Sequence, residues 1–156
     1  MAVFLKIGDI KGESKDAKHK GEIDVLSWSW GISQTGGASA GGGGGAGKAS
    51  FNDLNFMNRV DKASPVLMKA CATGEHVKEA TLASRKAGKG QQEYLIIKMT
   101  DILVTSVQVS ASDEHPTESV SMQFAKIDLE YKPQKPGGGV EPGVRFAYDI
   151  KANKVG

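Results

Sequence analysis

A period-two alternation of apolar and small polar residues runs through most of this chain, and it restricts the fold to half-buried strands. It is plainest in EIDVLSWSWGIS, where Leu26, Trp28, Trp30 and Ile32 alternate with Ser27, Ser29, Gly31 and Ser33. A strand with that pattern puts two indoles and two aliphatic side chains on a core face and leaves a small polar face opposite. The same reading fits VFLKIG near the start, then KASFNDLNF, EATLASR, EYLIIKMT, ILVTSVQVS, ESVSMQFAKIDLEYK and VRFAYDI. In ESVSMQFAKIDLEYK the apolar phase slips: Val120, Met122 and Phe124 hold one phase, and Ile127, Leu129 and Tyr131 the other. A bulge or sharp twist is therefore expected near Ala125 and Lys126.

One segment departs from the strand pattern. In KASPVLMKACATGEH, Ser64 reads as an N-cap and Pro65 suits the first helical turn. Leu67, Ala70 and Cys71 fall at helical spacing before Gly74 closes the C-terminal end. The spacing predicts an α-helix over about 64–73, roughly 15 Å long, which must dock its Leu67 face on a sheet because an isolated helix of that length is marginal. Many strands, one helix and Gly/Pro-rich turns predict a mainly β fold: a small β-barrel of two packed antiparallel sheets with one flanking α-helix. The 156 residues suit a single domain over 1–156 that needs no covalent staple. KPQKPGGGVEPGV, from Lys132 to Val144, reads as a loop before the last strand.

Charged residues make up 24% of the chain and the net charge is +2, with lysines spread from Lys6 to Lys154. That distribution lacks the dense basic face of a nucleic-acid binder. KGESKDAKHKGE, Lys11 to Glu22, is rich in lysine but also carries Glu13, Asp16 and Glu22, and reads as a solvated loop. The single cysteine, Cys71, sits among apolar neighbours and reads as a core thiol. The N-terminus has no basic region followed by an apolar run, and no segment reaches the roughly 18 apolar residues of a membrane span. A cytoplasmic start without a signal peptide, and no membrane insertion, are the expectations.

Between the strands lies GISQTGGASAGGGGGAGKASFNDL, within which Gly42 to Lys48 spells G-x-x-x-x-G-K. A phosphate loop needs a hydroxyl next, to hold magnesium, and position 49 is Ala; Ser50 comes one residue late. It also needs a helix whose first amides face the phosphate, whereas Phe51, Asn52, Asp53 and Asn55 follow as poor helix formers. The chain has no alternating βαβ pattern to mount such a loop. No nucleotide or other cofactor is expected. From Gln34 to Lys48 no side chain is large enough to bury apolar surface, so this extended glycine-rich loop either stays loose or orders against a partner.

His19, His76 and His115 are far apart in polar segments and read as surface residues, with no metal site. SDEHPTES, Ser112 to Ser119, holds a serine, acids and a histidine, but neighbours in one turn are not a catalytic triad. Asp128 and Glu130 share one strand face and read as a solvated edge. No catalytic residue is assigned.

Several blocks in order carry a resemblance: FLKIGDIKGESKD (Phe4 to Asp16), EIDVLSWSWG (Glu22 to Gly31), the tract closing in GKASFNDLNF, DKASPVLMKACATGEH (Asp61 to His76), ASRKAG (Ala83 to Gly88), EYLIIKM (Glu93 to Met99) and FAYDIKANK. In that combination the chain resembles the Hcp family, the tube protein of bacterial type VI secretion systems, over nearly its whole length. The resemblance implies a non-enzymatic subunit that forms hexameric rings. Rings stack head to tail inside a contractile sheath and are driven out of the cell with spike and effector proteins, some effectors riding in the lumen. Under it, Ser27, Ser29 and Gly31 are expected to face the lumen. Thr35, Gly36, Gly41, Gly42, Gly43, Gly44, Gly45, Gly47 and Lys48 are expected to contact a stacked ring. The chain ends soon after DIKANKVG, so no appended effector domain is expected. Two other readings are a monomeric binding module that uses the glycine arm, and a phosphate-binding domain at 42–48.

Overall fold

The computed structural model describes residues 2–36, 49–86 and 92–156. Strands β1 (Ala2–Ile7), β2 (Ile23–Val25), β3 (Ser27–Ser29) and β4 (Ile32–Gln34) precede the glycine tract, and β5 (Ala49–Phe51) and β6 (Leu54–Arg59) follow it. Helix α1 (Ser64–Thr73) leads into β7 (His76–Arg85), β8 (Glu93–Ser110), β9 (Thr117–Tyr131), β10 (Val144–Asp149) and β11 (Lys154–Val155). The expected class, mainly β with one flanking helix, is what the chain adopts. Its two sheets are very unequal: nine strands form one, in the order β11-β10-β9-β8-β7-β1-β2 with β6 and β3 added beside β9, and β4 and β5 form a separate ribbon.

In the large sheet β9 divides one edge between two neighbours. Along its other edge it pairs with β8 from Ser110↔Thr117 to Leu95↔Tyr131. On the divided edge, residues 117–122 pair with β6 and residues 126–131 pair with β10. The apolar phase of β9 slips between buried Phe124 and buried Ile127, where the neighbour changes. The backbone irregularity that accompanies it lies on the facing strand: Asp101 has φ 58, and the β8–β9 register shifts between Val104 and Ser106. A residue inserted at Thr105 bends β8 more strongly than a regular ladder would allow. The barrel does not close, because β2 pairs with β1 and β3 with β6 with no ladder joining β2 to β6.

That handover corrects the expected core face. Ile23 and Val25 are the buried residues of β2. At Leu26 the chain leaves β1's side and its amide donates to the Met57 carbonyl at 2.7 Å, so the inward phase moves by one residue. Trp28 and Trp30 then turn toward the core, half-buried, while Leu26 is 51% exposed at the corner and Ile32, already in the ribbon, is 44% exposed. Trp30 and Phe51 tie the ribbon back: their rings lie 6.5 Å apart, and Phe51 packs on Tyr148 of β10 at 4.7 Å.

The helix spans Ser64–Thr73 and buries Leu67 and Ala70 against the sheet, with Gly74 left-handed at φ 69 beyond its end. Complete burial of a leucine contributes about 1.5–3 kcal/mol. Its start differs from the sequence reading. Ala63 occupies the cap position with no side-chain hydrogen bond, and Ser64 is the first helical residue. The Ser64 hydroxyl accepts from the Asp61 amide at 3.0 Å and donates to Glu118 Oε1 at 2.8 Å. Because Glu118 of β9 reaches the helix start, the hydroxyl satisfies a buried carboxylate.

Candidate functional site

The most regular surface is the outward face of β3, β6, the first half of β9 and the last third of β8. Register sets its rows. Ser29 lies opposite Asn55, Asn55 opposite Ser121 and Ser121 opposite Ser106. The next row is Ser27, Met57, Ser119 and Gln108. The Ser121 hydroxyl donates to Asn55 Oδ1, and Thr105 donates to Asp53 Oδ2 at 2.7 Å, so the rows are held by short polar side chains. Neither row carries a charge, and Met57, 41% exposed, is its one large apolar side chain. Between these rows the strands turn Phe56, Val120 and Met122 into the core. Two edges of this patch have no ladder among the described residues. β3 pairs only with β6, and β7 follows β8 only as far as Leu103, which leaves Val104–Ser110 bonded on the β9 side alone.

Ionisable groups gather elsewhere. The loop between β1 and β2, expected to be solvated, is docked. Gly12 and Ser14 donate their amides to the Gly21 and Glu22 carbonyls at 2.8 and 3.0 Å, and a Cβ at Gly12 would stand 2.5 Å from the Glu22 carbonyl oxygen. Asp16 accepts from both ends of the Arg85 guanidinium, 3.1 Å at Nη1. That hydrogen-bonded guanidinium holds the Asp16 carboxyl down at about 2 and pushes the Arg85 group up. His19, expected at the surface, is buried. Its ring stacks on Phe4 at 4.4 Å, with Nδ1 at 2.9 Å from Glu22 and Nε2 at 2.5 Å from Glu93. His76 stays exposed and pairs with Asp101 at 2.7 Å, and His115 is exposed in the β8–β9 turn. Asp128 is not on an edge: it lies between β8 and β10 and pairs with Arg145, whose group is pushed up by that contact. Cys71 is a free, half-buried thiol packed against the core. Glu118 is 1% exposed, and its Oε2, like Asn58 Oδ1 across the ladder, has no hydrogen-bond partner among the described residues. Burial first, then Glu13 and Glu118, raises the nearby Asp61 carboxyl. These pairs serve packing and docking, and no side-chain cluster able to hold a metal ion occurs among the described residues.

Of the residues singled out in the sequence, Ser27 and Ser29 are exposed in the polar patch, and Gly31 is not in it. Gly31 lies between β3 and β4, where its carbonyl accepts from the Asn52 amide at 3.0 Å. Thr35 and Gly36 are exposed just beyond β4, with Gly36 at φ 73. Gly41, Gly42, Gly43, Gly44, Gly45, Gly47 and Lys48 lie outside the described residues. The sequence reading missed Asn55, Met57, Ser106, Gln108, Ser119 and Ser121 as members of the same face. Their alternation was visible strand by strand, but nothing local to a strand says that β6 lies beside β3 and β9.

A mainly β chain with a largely polar exposed face, flanked by two strand edges that have no ladder among the described residues, has the features by which proteins join sheet to sheet. The chain belongs to the Hcp family: the family model described as "Type VI secretion system effector, Hcp" matches residues 4–131. It is 48% identical over 155 residues to Protein hcp1 of Pseudomonas aeruginosa, covering 97% of this chain and 96% of that one. The crystal structure of Hcp1 from Salmonella typhimurium matches with a TM-score of 0.81 and 41% identity, over 99% of this chain and 97% of that one. The structure of a type six secretion system protein matches with a TM-score of 0.92 and 26% identity, over 98% of both chains.

Proposed function

We propose that this protein is the tube subunit of a type VI secretion system, a single non-catalytic domain that assembles as a hexameric ring. The observation that carries the ring is the four-stranded polar patch with its two unpaired edges. The exposed edge of β3 in one copy can extend the ladder of Val104–Ser110 in the next, and repetition around a closed ring covers both of these edges in every copy. The patch then faces the lumen. Uncharged serines let cargo pass or rest there without a field to trap it, and sheath, spike and effector proteins are the partners. The glycine loop, about 34–48, reaches a stacked ring. Ordering such a loop costs about 1–2 kcal/mol per residue, so one contact is weak and six together are strong. The protein is made in the cytoplasm and leaves the cell by the secretion system.

Light-scattering mass across a concentration series tests this. A particle near six times the 16.5 kDa chain supports the ring. A monomer at high concentration removes it and favours a lone binding module.

A further inference from the structure

The loop from Lys11 to Glu22 looks nearly balanced as a sequence, with four lysines and a histidine against three acids. Folding sorts those charges. Each acid is taken up by a contact that fixes the loop: Glu13 Oε2 accepts from the Lys62 amide at 2.8 Å, Asp16 holds Arg85 of β7, and Glu22 takes His19 Nδ1. His19 in turn is bound to Glu93 at the start of β8 and stacked on Phe4, whose ring also lies 4.9 Å from the Arg85 guanidinium carbon. Lys11, Lys15, Lys18 and Lys20 are left exposed, and among the described residues none of them has an ion pair. Lys62, also exposed, adjoins them through Glu13.

We propose that this loop is a pre-organised cationic docking surface for an acidic segment of another protein; the choice of a protein partner rests on the tube assignment above. Irregular backbone with four like charges would ordinarily be loose, because ordering it has an entropy cost and its lysines repel. Here the part-buried contacts of Asp16 and His19 meet that cost in the free chain, so a partner need not supply it on binding. The surface is suited to carboxylates more than to nucleic acid. Its one guanidinium, Arg85, is turned inward onto Asp16, and its aromatic ring, Phe4, is buried. It therefore offers neither the bidentate phosphate fork nor the exposed stacking ring that nucleic-acid surfaces use. A second copy of the chain is a poor occupant, since it brings the same positive loop and a net charge of +2.

The test uses the full-length protein and a fluorescein-labelled polyglutamate peptide, read by anisotropy at low and physiological salt, with ring mass followed by light scattering in parallel. The wild type should bind with a marked salt dependence. The triple variant Lys15→Glu, Lys18→Glu, Lys20→Glu should lose about tenfold or more in affinity, a difference of about 1.4 kcal/mol. The same charge change at Lys98, Lys126 and Lys154, on the outward face of β8, β9 and β11, should lose much less. Asp16→Asn is the decisive arm. It removes a negative charge, so charge counting alone gives tighter binding, whereas release of the loop gives weaker binding. The proposal is overturned if Asp16→Asn binds more tightly than wild type, if the control triple variant loses as much as the loop variant, or if single-stranded DNA outcompetes the peptide. It is also overturned if the loop variant changes ring mass while the peptide fails to bind, which makes the surface a contact between copies. Intact rings without peptide binding leave the tube reading standing; absent rings with peptide binding do the reverse.

Discussion

Replacing Ser64 by aspartate distinguishes a helix start that is capped from one that is bridged to the sheet. Aspartate is as good an N-cap as serine, so a capping role leaves stability nearly unchanged. In the structure the Ser64 side chain is fully buried and donates to Glu118 Oε1 at 2.8 Å, and Glu118 is 1% exposed. Ser64→Ala removes that charge-assisted hydrogen bond and should cost about 1.5–3 kcal/mol. Ser64→Asp loses the same bond and adds a second carboxylate. At about 4 Å and an effective dielectric constant near 20 the repulsion is about 4 kcal/mol, as an upper bound, since one group can take up a proton. The site has little tolerance for more negative charge, because the Asp61 carboxyl is already raised by burial and by Glu13 and Glu118. Urea unfolding followed by circular dichroism at neutral pH should therefore rank wild type above Ser64→Ala and Ser64→Ala above Ser64→Asp. For a chain of this length each kcal/mol lowers Tm by roughly 2–4 °C. Below the carboxylate range the aspartate variant should recover toward the alanine one, because a protonated carboxyl can donate where the serine did. A Ser64→Asp protein as stable as wild type at neutral pH would refute the bridge.

Three further outcomes are expected. Asp16 titrates at 3.8 when free and at about 2 when held by Arg85, so its contribution to docking the loop is complete above about pH 4 and is lost as pH falls through 2. Amide exchange at Ser14, Gly21 and Glu22 should then rise ahead of the core's, and protection in step with the core down to pH 2 would contradict this. Ser29→Trp places a large indole in the uncharged row with Asn55 and Ser121, and should reduce effector retention while ring mass stays the same. Unchanged retention, or loss of rings, would remove Ser29 from the lumen face. Deleting Thr35 to Gly45 should leave rings and prevent their stacking into tubes, as seen by electron microscopy; tubes built from the deleted protein would sink the role given to the arm.

Most strands were legible because alternation is a local property, and so was α1, whose limits Pro65 and Gly74 mark. What local pattern could not carry was any event decided by a neighbour. At Leu26 the chain changes partner from β1 to β6 and the inward phase moves with it, so Leu26 and Ile32 look like core residues in sequence and are exposed in space. EYLIIKMT and ILVTSVQVS read as two strands separated by Asp101, yet both pair with β9 and run on as one strand, β8, despite the left-handed backbone at that aspartate. Ser64 has the composition of a cap and the environment of a buried bridge. His19 and Asp16 read as solvated because their partners, Glu93 and Arg85, lie more than sixty residues away. The polar patch was half visible: Ser27 and Ser29 stand out in one strand, while the three strands that extend them sideways are joined only by long-range pairing.

The shared β8–β9 ladder also sets an order in which the molecule would give way under load. Drawing β8 past β9 along their common axis strains a long run of cross-strand bonds at once, so the ladder resists in shear as a unit. β6 and β10 each cover only half of β9, and a force directed away from its edge can peel either one off a few bonds at a time. A subunit pushed end-on would keep its spine and lose its flanks first.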